Sequence, residues 1–278
     1  MAEASSINLF NSVQEIKMYP YPILFGMTLY EIFIIVGVIG VMIVFRFFGD
    51  RYKFSARLQN LVLFNTLAAI TGGYFSAVLF QAFYDFMATG EFVLNQNTGA
   101  TFYGGLIGGV ATFIGVYFAV GAFMFKDREH LRAFPHLFNI AGVAIPLAHG
   151  FGRLGCLSVG CCHGGKTDAW YGIYSPELGY KFVPIQLFEA LVLFAIAVSL
   201  FFLLLKSKRF PHTMSIYLMT YGIWRFFAEF FRADNRGQTI VEGLTPSQLT
   251  AIVLFFAAIL LYVLLEYLYA RKNKTNPF

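Results

Sequence analysis

The sequence predicts an all-α integral membrane protein with seven transmembrane helices, its N-terminus outside and its C-terminus in the cytoplasm. Three observations carry that expectation. Hydrophobic residues make up 58% of the chain, charged residues only 13%, and the mean hydropathy is +0.65, whereas a soluble chain carries about 25% charged residues. Seven apolar stretches (27–48, 61–83, 102–125, 134–151, 184–205, 213–231 and 247–269) each approach the ~20 residues that span a bilayer. Basic residues collect in alternate connections: Arg46, Arg51, Lys53 and Arg57; Lys126, Arg128 and Arg132; Lys206, Lys208 and Arg209; Arg271, Lys272 and Lys274. The positive-inside rule places those connections in the cytoplasm.

Each element follows from the same physics. A helix satisfies its own backbone in lipid, and the ~10-residue alternation of a membrane barrel is missing. The fourth stretch is short and rich in Gly and Pro. The connection after the second stretch holds Asp85 and Glu91 and no Lys or Arg, as an outer loop should. The first 26 residues lack a basic run before an apolar core and do not read as a signal peptide; residues 16–27, with Tyr19, Pro20, Tyr21 and Pro22, read as an interfacial lead-in. Residues 1–278 read as one membrane-embedded domain with one long outer loop, 155–183. The net charge of +5 is accounted for by the cytoplasmic loops and requires no nucleic acid.

Charged residues interrupt the apolar stretches in three places, each costing roughly 2.5–3.5 kcal/mol on insertion scales. Arg153 closes the fourth, Glu189 lies one turn inside the fifth, and Arg225, Glu229 and Arg232 line the end of the sixth. All fall on the outer side of the expected topology. Arg225, Glu229 and Arg232 are spaced i, i+4, i+7, which puts them on one helix face. A Glu between two Arg residues orients one guanidinium and leaves the other fork for phosphate or carboxylate oxygens. A phospholipid head group is the expected ligand. Interfacial arginines that merely snorkel to water are the bland alternative.

Two further segments stay open. Gly104, Gly105, Gly108 and Gly109 open the third stretch, either as a helix-packing surface or as a lipid path with free N–H groups for an anion, with Tyr103 beside them. Cys156, Cys161, Cys162 and His163 do not have a standard zinc spacing, so neither a metal nor a cofactor is expected. The alternatives are inert thiols, a disulfide between two of the three, and a reactive thiol or metal site; a structural role for a tight loop is preferred. His149 reads as an interior histidine rather than a catalyst.

At these residues the chain resembles the prolipoprotein diacylglyceryl transferase family, from Leu29 to about Leu249. Leu29-Tyr30 with Gly37 resembles the Trp-Tyr-Gly start of the family's first helix. Phe102-Tyr103-Gly104-Gly105-Leu106-Ile107-Gly108 is similar to His-Gly-Gly-Leu-Ile-Gly, and Gly152-Arg153-Leu154-Gly155-Cys156 to Gly-Arg-x-Gly-Asn. Pro184-Ile185-Gln186-Leu187-Phe188-Glu189 matches Pro-x-Gln-Leu-Tyr-Glu. Tyr221-Gly222-Ile223-Trp224-Arg225-Phe226, with Glu229 and Arg232, is similar to the penultimate helix.

The resemblance implies a seven-helix inner-membrane enzyme that moves diacylglyceryl from phosphatidylglycerol onto the lipobox cysteine of a prolipoprotein signal peptide, releasing glycerol phosphate on the periplasmic side. It implies Arg153, Arg225, Tyr103, Glu189 and Glu229 as catalytic residues. Tyr30, Gly104, Gly105, Cys156 and Arg232, again with Arg153, would bind substrate. Two positions depart from the family: Tyr103 stands for its His and Cys156 for its Asn. A paralogue that moves a lipid group to another acceptor, and an anion- or lipid-binding membrane protein or transporter without chemistry, are the alternative readings.

Overall fold

Helix caps written into the sequence set where the long elements begin. The computed structural model describes residues 21–95, 98–207, 210–232 and 243–275. Its helices are α1 (Leu29–Arg51), α2 (Ala56–Thr89), α3 (Phe102–Met124), α4 (Glu129–Ser158), α5 (Ile185–Lys206), α6 (Thr213–Ala228) and α7 (Pro246–Thr275), with one 3₁₀ turn at Glu229–Phe231. Two short strands, β1 (Ile173–Ser175) and β2 (Tyr180–Phe182), form an antiparallel hairpin between α4 and α5.

Reciprocal capping boxes open α1 and α7. Thr28 N–H donates to Glu31 Oε2 at 2.7 Å and Glu31 N–H to Thr28 Oγ1 at 3.3 Å. Thr245 N–H donates to Gln248 Oε1 at 3.0 Å and Gln248 N–H to Thr245 Oγ1 at 3.2 Å. Ser55 caps α2, Thr101 caps α3, and Gly90 ends α2 in the left-handed region that glycine adopts freely.

The chain forms two compact units, one of residues 46–137 and the other of residues up to 45 and from 138. In the 46–137 unit, α2 and α3 meet on glycine. A Cβ on Gly73 would lie 2.9 Å from the Gly105 carbonyl, one on Gly108 would collide with Ser76, and one on Gly104 would lie 2.6 Å from the Phe80 side chain. The glycine run is therefore a packing surface. Its first N–H groups are also taken, since Gly104 donates to Thr101 Oγ1 at 3.3 Å and Gly105 to the Thr101 carbonyl at 3.1 Å. Of the two readings left open for this segment, the structure shows helix packing, and the N–H groups of Gly104 and Gly105 are not free.

In the other unit α4 is the central element, and small residues let its neighbours approach. Cβ atoms on Gly37 and Gly40 of α1 would lie 3.3 Å from Ala148 and 3.1 Å from Leu147, and one on Gly150 would lie 2.6 Å from Phe194 of α5. Gly142 lies against the backbone of Thr213 and Met214 at the start of α6. Buried Asn139 fixes the same junction by accepting the Thr213 N–H at 3.0 Å. Gly222 of α6 in turn faces α7, where a Cβ on it would lie 3.1 Å from the Ala251 carbonyl.

Six helices, all but α6, are long and apolar enough to cross a membrane. Large apolar side chains such as Phe64, Tyr74, Phe75, Phe256 and Leu260 face outward, as a protein with lipid for solvent requires. The expected boundaries need correction. Helix α4 runs Glu129–Ser158 rather than 134–151, continuing through Pro135 and Pro146, which intramembrane helices tolerate. Helix α2 spans 34 residues rather than the expected 23, because polar turns that carry Arg57, Gln59 and Asp85 extend the apolar run at both ends. The long loop before α5 begins after Ser158, not at Gly155. Residues 16–20 of the expected lead-in lie outside the described residues.

The packing makes opposite predictions at two glycines. Gly142→Ala drives a methyl into the α6 backbone and is expected to cost about 1–3 kcal/mol. Gly115, with nothing within 4 Å of a Cβ, is expected to accept Ala without loss. Thermal unfolding of the two variants in one detergent checks both outcomes.

Candidate functional site

Four helices of the larger unit bring buried charges into two pairs. Helix α4 carries His149 and Arg153 four residues apart, hence on one face. Helix α5 starts at Ile185, which sets Glu189 in its second turn, fully buried. Glu189 Oε1 lies 3.0 Å from Arg153 Nη2 and accepts the Tyr221 hydroxyl at 2.8 Å. His149 Nε2 lies 3.9 Å from the same oxygen, and its Nδ1 is 3.4 Å from the Tyr217 hydroxyl. The ring of His149 stands edge-on to Tyr221, with centroids 4.9 Å apart. Arg153 Nε is buried without a hydrogen-bond partner among the described residues.

The second pair joins the end of α6 to the start of α7. Arg225 Nη2 lies 2.7 Å from Glu229 Oε2 and 2.9 Å from Ser247 Oγ. Thr245 donates to Glu229 Oε1 at 3.1 Å, and Arg232 Nε stands 3.8 Å from Oε2. Arg225 Nη1 is buried without a partner among the described residues. The expected single helical face is altered here: α6 stops at Ala228, a 3₁₀ turn follows, and Arg232 is extended. Glu229 still reaches both arginines.

Taking a carboxylate out of water costs several kcal/mol unless it is paired and hydrogen-bonded. Here each glutamate holds one arginine and leaves part of that guanidinium uncommitted. Three arginines against two glutamates leave one positive charge.

Beside Arg153 lies the cysteine cluster. Cys156 sits in the last turn of α4, and the chain turns back through Gly160 at φ 72° and Cys162 at φ 61°. All three sulfurs lie within 4.8 Å of one another. None is bonded to another, so the disulfide alternative is not what holds this loop. The loop is pinned instead by Gln186, whose Nε2 donates to the Cys161 carbonyl at 2.6 Å. Gly164 N–H bonds the Val183 carbonyl at 2.9 Å, and Gly165 N–H bonds the Phe231 carbonyl at 3.0 Å. Hydrogen bonds from Cys156 and Cys161, aided by Arg232 and opposed by burial, hold the Cys162 thiol far below its usual range.

Tyr30 lies against this group, since a Cβ on Gly155 would come within 2.9 Å of its ring. Tyr103, Gly104 and Gly105 belong to the 46–137 unit; there Tyr103 stands half-exposed at the N-terminus of α3. Sequence reasoning set His149 aside as an interior residue and gave no role to Tyr217, Tyr221, Thr245 or Ser247. The i, i+4 relation of His149 to Arg153 was the available signal for the first, while Ser247 is recognisable only once α7 stands beside α6.

The three thiols stand unbonded to one another, within 4.8 Å. After denaturation without reductant and with a chelator present, mass spectrometry is expected to find Cys156, Cys161 and Cys162 all alkylated. Two unlabelled cysteines would mean that the loop is cross-linked.

The family profile described as prolipoprotein diacylglyceryl transferase matches residues 21–264. Phosphatidylglycerol–prolipoprotein diacylglyceryl transferase 2 of Clostridium perfringens is 30% identical over 253 residues, covering 89% of this chain and 91% of that protein. The corresponding transferase of Clostridium tetani is 23% identical over 86% of this chain and 94% of its own length. That of Bordetella avium is 28% identical, covering 79% and 80%. On the profile match and the Clostridium perfringens relative, this chain belongs to the prolipoprotein diacylglyceryl transferase family.

Proposed function

We propose that the protein transfers the diacylglyceryl group of phosphatidylglycerol to the lipobox cysteine thiol in a prolipoprotein signal peptide. It does so at the outer face of a bacterial inner membrane, as a seven-span protein with its N-terminus outside. The observation that carries this reading is the pair of buried arginines, each clamped by one glutamate and each with a buried guanidinium nitrogen left over. The relatives' names supply the reaction.

Arg153 and Arg225 bind the phosphate of the lipid. Phosphatidylglycerol carries one phosphodiester charge, whose oxygens meet the buried, uncommitted guanidinium nitrogens of Arg153 and Arg225. The acceptor thiol gives up its proton to solvent, its sulfur attacks the glyceryl carbon to form the C–S bond, and the C–O bond breaks with its electron pair going to the phosphate-bearing oxygen. Negative charge grows on the departing glycerol phosphate, and preorganised guanidinium donors stabilise it there. Glu189 and Glu229 act as positioning residues that hold the two forks, with Tyr221, Thr245 and Ser247 fixing the carboxylates and Arg225. Arg232 and Tyr30 contribute to substrate binding, while Gly104 and Gly105 serve as the packing surface for α2. Tyr103 occupies the place of the family histidine, and its phenol serves as a hydrogen-bond donor.

Depletion of the native transferase in a bacterium, with this chain supplied in its place, tests the reading. Restored lipoprotein lipidation is the expected result, and its failure in well-expressed protein would sink the proposal.

Two variants sharpen it. Arg225→Lys is expected to lower kcat/KM about 10²-fold or more, because a point charge does not copy the bidentate fork; near wild-type turnover would remove the phosphate contact. Glu189→Gln is expected to lose activity across the whole pH range. A rate recovered at another pH would make Glu189 a proton carrier instead.

A further inference from the structure

We propose that Cys156, Cys161 and Cys162 form a three-thiolate site for a soft divalent metal, zinc foremost, with an open fourth position that takes the acceptor thiol. The second half of this proposal rests on the reaction proposed above.

Distance is the first support. The three sulfurs lie within 4.8 Å of one another. A tetrahedral zinc with ~2.3 Å zinc–sulfur bonds holds its sulfurs ~3.8 Å apart, so side-chain rotation closes the difference. A disulfide would instead need ~2 Å between two sulfurs and strand the third. The donor set is all thiol, which selects zinc or copper(I) over magnesium and calcium.

The loop is also built to aim these sulfurs. Cys162 holds a left-handed backbone at φ 61° although it is not glycine, a conformation that persists only where its surroundings impose it. Cys161 N–H bonds the Cys156 carbonyl at 3.1 Å, and buried Gln186 holds the Cys161 carbonyl at 2.6 Å. Those bonds turn both later thiols back onto the end of α4. Three thiolates around a divalent ion leave one negative charge. Arg232, whose backbone bridges Gly164 of the same loop, supplies the matching positive charge as an outer-sphere partner.

Position gives the site its use. Cys161 is exposed while Cys156 and Cys162 are partly buried, so the cluster has an accessible side. Arg153, one turn before Cys156 on α4, lies within electrostatic reach of it. A metal deprotonates a coordinating thiol outright. The acceptor cysteine therefore loses its proton to water on binding, its sulfur attacks the glyceryl carbon, and the C–O bond breaks toward the phosphate held by Arg153. The thioether product is a neutral, weaker ligand, and water takes back the fourth position. This supplies the thiolate that Tyr103, standing for a histidine, generates poorly.

The test uses the full chain purified in detergent from zinc-replete cells. Elemental analysis is expected to find one zinc per chain, lost in the Cys156→Ser, Cys161→Ser and Cys162→Ser variants. Unfolding temperatures close to wild type would show that those variants are folded. The cobalt(II)-substituted protein should show thiolate-to-cobalt charge transfer. Addition of a synthetic prolipoprotein signal peptide with its lipobox cysteine should intensify it, and the Cys→Ser peptide should not. Zinc no higher than in the triple serine variant, or two cysteines recovered as a disulfide, would overturn the metal site. A cobalt spectrum indifferent to the cysteine peptide would overturn the open position. Lipidation without bound zinc would leave the proposed reaction standing and sink only the metal, whereas zinc without lipidation would do the reverse.

Discussion

A fully buried carboxylate, Glu189, is the constraint on which the larger unit turns. Its Oε1 must hold Arg153 at 3.0 Å and the Tyr221 hydroxyl at 2.8 Å, because an isolated carboxylate in an apolar interior costs several kcal/mol. Those two bonds tie α5 to α4 and to α6. The packing exists to permit them: Gly150 lets α4 approach Phe194 of α5, and Gly142 lets it approach the first residues of α6. A larger residue at either position would move Arg153 away from its carboxylate. Structure and ligand binding thus share one set of contacts.

The second pair repeats the design on different elements. Arg225 is held by Glu229 just beyond the end of its own helix and by Ser247 from the first turn of α7, and Thr245 both caps α7 and fixes Glu229. Breaking either pair leaves an uncompensated buried charge, a loss of about 3–5 kcal/mol. Each pair keeps one guanidinium nitrogen buried without a partner among the described residues, so the polar interior is not self-satisfied.

The segment between α4 and α5 shows how a loop becomes part of a site. The hairpin of β1 and β2, the bridge of Gly164 to Arg232 and the Gln186 bond to Cys161 hold it against the helix ends that carry the arginines. The same bonds that order the loop gather its thiols next to Arg153 and Tyr30.

The all-α membrane class, the candidate helices and the charged positions were legible in the sequence, because apolar runs and intramembrane charges are local properties of the chain. The five motifs pointed to the family. The helix ends were not legible: α4 runs through two prolines and several glycines that look like a loop when read alone. Nor was the role of Gly104 and Gly105, whose space is filled by α2, or the membership of Tyr221, Thr245 and Ser247 in the charged network. Cys156, Cys161 and Cys162 match no metal spacing along the chain, yet two left-handed residues fold them onto one another. Spacing reports only what a regular helix or strand would bring together. Contacts made by an irregular turn, or between helices far apart in sequence, come into being only when packing selects them.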